Sequence, residues 1–298
     1  MKNKTRFFNS FRDFMLVVPA LGFLLLFTYY PIVEVLRISF TNWNLIRDDY
    51  QYVGMKNWIW LFNGSGTKYF LASLRVTALY TAGEIAITLG GGIILALLFD
   101  RTSRGFSAMR AIIFMPRYVA MSSAAVIFLW LMNYNHGIFN YFMEFLGFQK
   151  VNWLGSRSTA LLSVLMLTGW RAIGYGMIIY LSAMRGISND YYEAAQLDGA
   201  SSFQRFYRIT LPLLSPTTIF LFVTTFIASM KVFQSVDILT GGGPYRSTEV
   251  MVYQIYQYAM QDFRMDRAAA TAVVFFIILL IFTALTMRVS RGSVHYES

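Results

Sequence analysis

Glu193-Ala194-Ala195-Gln196-Leu197-Asp198-Gly199-Ala200-Ser201-Ser202-Phe203-Gln204-Arg205-Phe206-Tyr207-Arg208-Ile209-Thr210-Leu211-Pro212 is a polar, basic island between two long apolar runs. Its punctuation is that of a folded loop. Glu193-Ala194-Ala195 favours the start of a short helix, and Gly199 ends it or turns the chain sharply. A second short helix from Ser201 would stop near Pro212, because proline has no N–H to continue the ladder. The expectation is a helix-turn-helix lying across a membrane surface.

The apolar runs on either side set the class. The chain has 298 residues, 56% of them hydrophobic, 17% aromatic and only 13% charged. That is the composition of a multi-spanning membrane protein rather than a soluble domain. There is no cysteine, which removes disulfides, thiol nucleophiles and cysteine metal sites. The net charge of +10 would suit nucleic acid, but the basic residues flank apolar runs, so no nucleic-acid partner is expected.

Working outward, hydropathy predicts an all-α integral membrane protein. It has six transmembrane helices at about 14–38, 71–99, 108–132, 159–184, 213–236 and 268–287. Residues 1–13 and 289–298 are read as tails, 14–288 as a single six-helix transmembrane domain, and 185–212 as the loop between helices 4 and 5. Lys2, Lys4, Arg6 and Arg12 precede the first run, which is too long for a signal peptide; Pro19 and Pro31 should bend it. Trp43, Tyr50, Tyr52, Trp58 and Trp60 mark an interfacial segment with a short helix near Met55 to Phe62. In the second helix Ala82, Ala86 and Gly90 form a small-residue face, expected to pack against another helix. Glu84, among apolar neighbours, should face protein or water.

Charge orients the chain. Lys2, Lys4, Arg6, Arg12, Arg101, Arg104, Arg110, Arg185, Arg205, Arg208, Arg288 and Arg291 fall on one side. Arg47, Lys56, Lys68, Lys150, Arg157, Arg246, Arg264 and Arg267 are spread over longer loops on the other. The richer side is read as cytoplasmic, which places both termini and the 185–212 loop there, in a cytoplasmic membrane crossed many times.

The loop resembles the EAA loop of ABC-importer permeases: Glu-Ala-Ala, three residues, Gly, nine residues, then Ile-x-Leu-Pro. All anchors stand at that spacing in Glu193, Ala194, Ala195, Gly199, Ile209, Leu211 and Pro212. Softer likenesses cover nearly the whole chain and point to the carbohydrate-uptake branch, of maltose, lactose and glycerol-phosphate type. They are Tyr29-Tyr30-Pro31 leading to Ser39-Phe40-Thr41-Asn42-Trp43, Tyr52-Val53-Gly54-Met55-Lys56-Asn57-Trp58, and Asp237-Ile238-Leu239-Thr240-Gly241-Gly242-Gly243-Pro244. The last two place it nearer the first of the two permeases such systems have. The sequence leaves no room for the large extracytoplasmic insert of some members.

The resemblance implies a bacterial or archaeal permease that imports a carbohydrate, with a second homologous permease, two cytoplasmic ATPase subunits and an extracytoplasmic solute-binding protein as partners. ATP and Mg would sit on the ATPases, and this chain would carry no cofactor, no metal and no catalytic residue. The expected ATPase-coupling residues are Glu193, Ala194, Ala195, Asp198, Gly199, Ile209, Leu211 and Pro212, with Glu193 capping or ion-pairing inside the loop. The residues agree that no engine lies in the chain. Gly64-Ser65-Gly66-Thr67-Lys68 lacks P-loop spacing, and His136 and His295 stand far apart. In the resembled family the helices flanking the loop line the sugar site. Here Thr168, Arg171 and Tyr175 share a helical face, as do Thr225 and Ser229, with Lys231 and Gln234 further out. Two readings stand for the cations: substrate contact, or Arg171 paired with Glu84 and Lys231 reaching outward. The alternative function is an ion-coupled secondary transporter, for which Glu84 is the only deep carboxylate. A membrane-embedded enzyme would need a nucleophile, base or metal-ligand set that is missing.

Overall fold

The computed structural model describes residues 14–47 and 49–293. The readings made on Lys2, Lys4, Arg6, Arg12 and His295 lie outside those residues. Among the described residues every element is helical, apart from an isolated antiparallel bridge between Thr41 and Tyr52. Four helices are long and apolar enough to cross a membrane: α1 (Phe14–Ile38), α3 (Thr67–Leu98), α7 (Ala160–Met184) and the Met265–Thr286 stretch of α13 (Met265–Ser293). Two further helix pairs would each make a span if counted together. α4 (Arg104–Tyr118) meets α5 (Met121–Leu131) at 103°, and α9 (Ser202–Leu213) meets α10 (Ser215–Met230) at 62°. Shorter helices are α2 (Lys56–Asn63), α6 (Ile138–Phe145), α8 (Asn189–Leu197), α11 (Gln234–Thr240) and α12 (251–261).

The expected continuous helix over 108–132 is therefore two pieces. Pro116 cannot donate to the preceding turn, so Met115–Tyr118 tightens into a 3-10 turn, and Val119 and Ala120 then run extended. The expected helix over 213–236 also differs. It ends at Met230, Lys231 is its C-cap, and Phe233 leaves helical geometry before α11 begins. Pro31 does not break α1; a π-turn over Leu25–Tyr29 widens the helix just before it.

By internal contacts the chain divides into two units, Met1–Lys68 with Ile255–Phe276, and Tyr69–Gln254 with Ile277–Ser298. In the first, Asn57 is buried and its amide donates to the Ser39 and Thr41 carbonyls at 3.0 and 2.7 Å, fixing the turn that follows α1. Trp60 packs edge-on to Tyr258, and the Arg267 guanidinium lies 4.4 Å over its ring. Asp266, buried, takes two hydrogen bonds from Arg264, which holds the Arg264 pKa above its ordinary value.

Among the described residues the second unit shows apolar clusters. One gathers Tyr80, Phe128, Val164, Leu167, Val236 and Tyr253; another Ala96, Met177, Tyr180, Leu214 and Leu221. α3 and α7 approach backbone to backbone at Gly92 and Gly176, where a Cβ on Gly92 would stand 2.8 Å from the Gly176 carbonyl carbon. The expected contact face of Ala82, Ala86 and Gly90 is instead exposed, and Gly83, against Leu165, lies on the packed side with Gly92. Both faces carry small residues, so composition alone did not choose between them.

Asn140 ties α6 to the segment before α7. Its amide donates to Tyr134 O and Val151 O, and its carbonyl oxygen accepts from Val151 N and Trp153 Nε1, all within 3.1 Å. Asn140→Leu would strand these partners around a buried site, and we expect about 3 kcal/mol of destabilisation, read as a fall in thermal unfolding temperature of the purified chain.

Candidate functional site

The seven residues expected on a substrate path come together. Thr168, Arg171 and Tyr175 of α7, Thr225 and Ser229 of α10, and Lys231 and Gln234 beyond it all line one cavity of about 370 Å³. The sequence put these positions on two faces of two helices. The structure adds that the faces meet, and that both helix breaks open onto the same space. Irregular backbone inside a membrane protein is tolerated where it borders a cavity or buried protein.

Arg171 explains how one break is held. Its guanidinium donates to Val119 O at 2.8 Å and Arg117 O at 3.3 Å, the carbonyls freed where α4 gives way to α5. The Arg171–Glu84 ion pair, one of the two readings for this arginine, is not formed. Glu84, buried on α3, accepts instead from Thr168 Oγ1 at 2.8 Å. Both carbonyls lie within reach of one nitrogen, Nη2, while Nη1 lies 3.5 Å from Met121 Sδ, and the carboxylate already has a donor on α7. Arg171→Met should loosen the elbow by about 1–3 kcal/mol, and Arg171→Lys should recover part of it, since both carbonyls are met by one nitrogen, Nη2. An unchanged thermal unfolding temperature in Arg171→Met would refute this role.

Sequence reasoning missed several lining residues. Arg117 was noted only as near a helix start, yet its guanidinium lies 4.9 Å over the Tyr175 ring at the cavity. Tyr80, Thr88 and Phe233 also line it. The signal for Arg117 was present: an arginine beside a proline within an apolar run. Lys231 is exposed to the cavity as a helix C-cap.

The 185–212 loop is built by its own caps. α8 begins at Asn189 with Ser188 as N-cap, four residues before Glu193, so Glu193 sits within the helix. It is exposed and forms no ion pair among the described residues, against the expectation of a cap or pair inside the loop. α8 ends as Gly199 takes φ +78°, with Gly199 N donating to Gln196 O and Ala200 N to Ala195 O. Ser201 then starts α9 with a capping box to Gln204. α9 ends at Leu213, one residue past Pro212, near where the stop was expected. Tyr192 and Thr210 hydroxyls, 2.9 Å apart, close the two helices on each other.

Ala195, Asp198, Gly199 and Ile209 border one hollow with Arg205 and Arg208. Ala194, Leu211 and Pro212 are exposed beside them. Three apolar side chains not singled out from the sequence stand out from this loop: Leu197 at 89%, Phe203 at 75% and Tyr207 at 62% exposure, the last two stacked. Among the described residues no cluster of His, Cys, Asp and Glu could hold a metal.

Comparison with known proteins follows the same lines. Residues 88–291 match the family described as "Binding-protein-dependent transport system inner membrane component". The chain is 34% identical to the probable ABC transporter permease protein YurN of Bacillus subtilis, covering 94% of this chain and 96% of that one. It is 30% identical to the sn-glycerol-3-phosphate transport system permease protein UgpA of Yersinia enterocolitica, over 97% of each chain. A trehalose/maltose transport system permease protein, MalF of Thermococcus litoralis, is 27% identical over 98% and 97%. In fold it is similar to a chain of a bacterial ABC transporter involved in the import of the acidic polysaccharide alginate, with TM-score 0.86, 22% identity and coverage of 99% and 100%. The chain belongs to the family of inner-membrane components of binding-protein-dependent transport systems.

Proposed function

We propose that the chain is one of two permease subunits of an ATP-driven importer, forming half of the path for a carbohydrate handed over by an extracytoplasmic solute-binding protein. In this reading it spans the cytoplasmic membrane six times, with α4–α5 and α9–α10 each counted once. Both tails and the 185–212 helix-turn-helix face the cytoplasm, and the loop meets one of two ATPase subunits that hold ATP and Mg. One observation carries the reading. The single helix α7 lines the polar cavity with Thr168, Arg171 and Tyr175, and it leads after a short turn into the capped loop.

The cavity chemistry suits a sugar: threonine and serine hydroxyls, a glutamine amide, and a tyrosine face for stacking. Names borne by relatives at 30% and 27% identity, glycerol phosphate and trehalose/maltose, support a polyol or sugar cargo. An ion-coupled mechanism would call for paired carboxylates, and Glu84 is the one carboxylate among the lining residues.

The test is purification of tagged chain in mild detergent, with co-purifying proteins identified by mass and ATP hydrolysis assayed. Recovery of a second permease and an ATPase is the expected result. A lone chain, under conditions that keep a known importer whole, would overturn the proposal.

A further inference from the structure

The cavity wall is short of partners in a particular way. Thr88 Oγ1 and Ser235 Oγ border it, are almost fully buried and have no hydrogen-bond partner, and the Arg171 Nε is likewise buried without one. Buried polar atoms in native proteins are usually satisfied, so this wall carries unspent polar groups. The charge of the wall says more. Arg117, Arg171 and Lys231 face the same space, and the only carboxylate among its lining residues, Glu84, already accepts from Thr168. Arg171 Nη2 donates to the α4–α5 carbonyls and Nη1 lies against Met121 Sδ. The Arg117 guanidinium lies over Tyr175, and neither it nor the Lys231 ammonium has a hydrogen bond or ion pair among the described residues. Met121, the first residue of α5, also borders the cavity, so the uncapped positive end of that half-helix lies there too.

We infer that this cavity takes an anionic carbohydrate, a sugar bearing a carboxylate or phosphate group, with Lys231 and Arg117 as its charge contacts and Tyr175 beneath the ring. A cleft lined by an excess of one sign in a low-dielectric wall concentrates ligands of the other sign. A neutral sugar would leave both unpaired cations unused, and their desolvation would count against it. This inference rests on the importer reading.

The experiment uses the purified complex of this chain with its co-purifying subunits, without the binding protein, so that only the transmembrane site is read. Thermal unfolding is followed with a galacturonate disaccharide, glucose 6-phosphate or maltose, at matched ionic strength set with KCl. Either anion should raise the unfolding temperature in a saturable way and maltose should not. A response to one anion alone identifies which acid group the site accepts. Lys231→Gln and Arg117→Gln should each weaken the apparent affinity by about tenfold, and Lys231→Arg should keep it. The inference is overturned if maltose stabilises as well as the anions, if no probe has an effect, or if the anion response survives both neutralisations. Failure of the importer reading looks different, since the ATPase would then be missing from the complex before any probe is added.

Discussion

Gly176→Leu is expected to remove the folded protein from the membrane. A Cβ at this position would run into the backbone carbonyl of Thr88 on α3, and neither backbone can yield without separating α3 from α7. Overpacking of a side-chain contact costs about 1–3 kcal/mol; a backbone-on-backbone contact should reach the upper end or beyond. Gly90→Leu is the matched control, because a Cβ there meets nothing within 4 Å and the position is exposed. The measurement is the yield of monodisperse chain on gel filtration after membrane extraction. The Gly90 variant should behave as the parent and the Gly176 variant should aggregate or disappear. Equal yields would mean that the α3–α7 approach is not what holds the second unit together.

The second large effect is functional. Replacing Leu197 and Phe203 together with aspartate should cost at least about 100-fold in uptake and abolish recovery of the ATPase with the tagged chain. Apolar side chains this exposed make few contacts inside the chain, so the change should leave its own stability within about 0.5 kcal/mol. At an interface, by contrast, buried aromatic and aliphatic anchors typically contribute about 2–4 kcal/mol each when truncated. Retained ATPase binding in a well-folded double variant would show that the partner is held elsewhere on the loop, with the hollow around Gly199 the next place to test.

Much of this loop could be read from residues alone. Gly199 and Ser201 announced a stop and a start, and both act that way, because a left-handed cap and an N-cap are local chemistry. The true beginning at Ser188 was hidden by the attention Glu193-Ala194-Ala195 attracts, though serine before Asn189-Asp190 is an ordinary helix start. The helix breaks were harder. Pro116 was visible but fitted a helix beginning as well as a helix ending. Nothing in Met230-Lys231-Val232-Phe233 marks a stop; there is no glycine or proline, so the break reflects tertiary packing over propensity. One reading paired Arg171 with the Glu84 carboxylate, and the broken backbone supplied carbonyls in its place. The grouping of Thr168, Arg171, Tyr175, Thr225, Ser229, Lys231 and Gln234 around one cavity needed two correct helical faces, and periodicity supplied those.

The clasp between Arg171 and the α4–α5 elbow has a mechanical side. From Arg171 to Met184, where α7 ends just before the loop, is about 20 Å of unbroken helix. An α-helix resists stretching but turns readily as a rod, and a long side chain sweeps a wider arc than the axis it stands on. A twist applied at the loop end therefore arrives at the cavity as a sideways pull on the Val119 and Arg117 carbonyls. The two extended residues of the elbow, Val119 and Ala120, would take up that pull. In the importer reading the arrangement would act as a crank, with Arg171 as its pin.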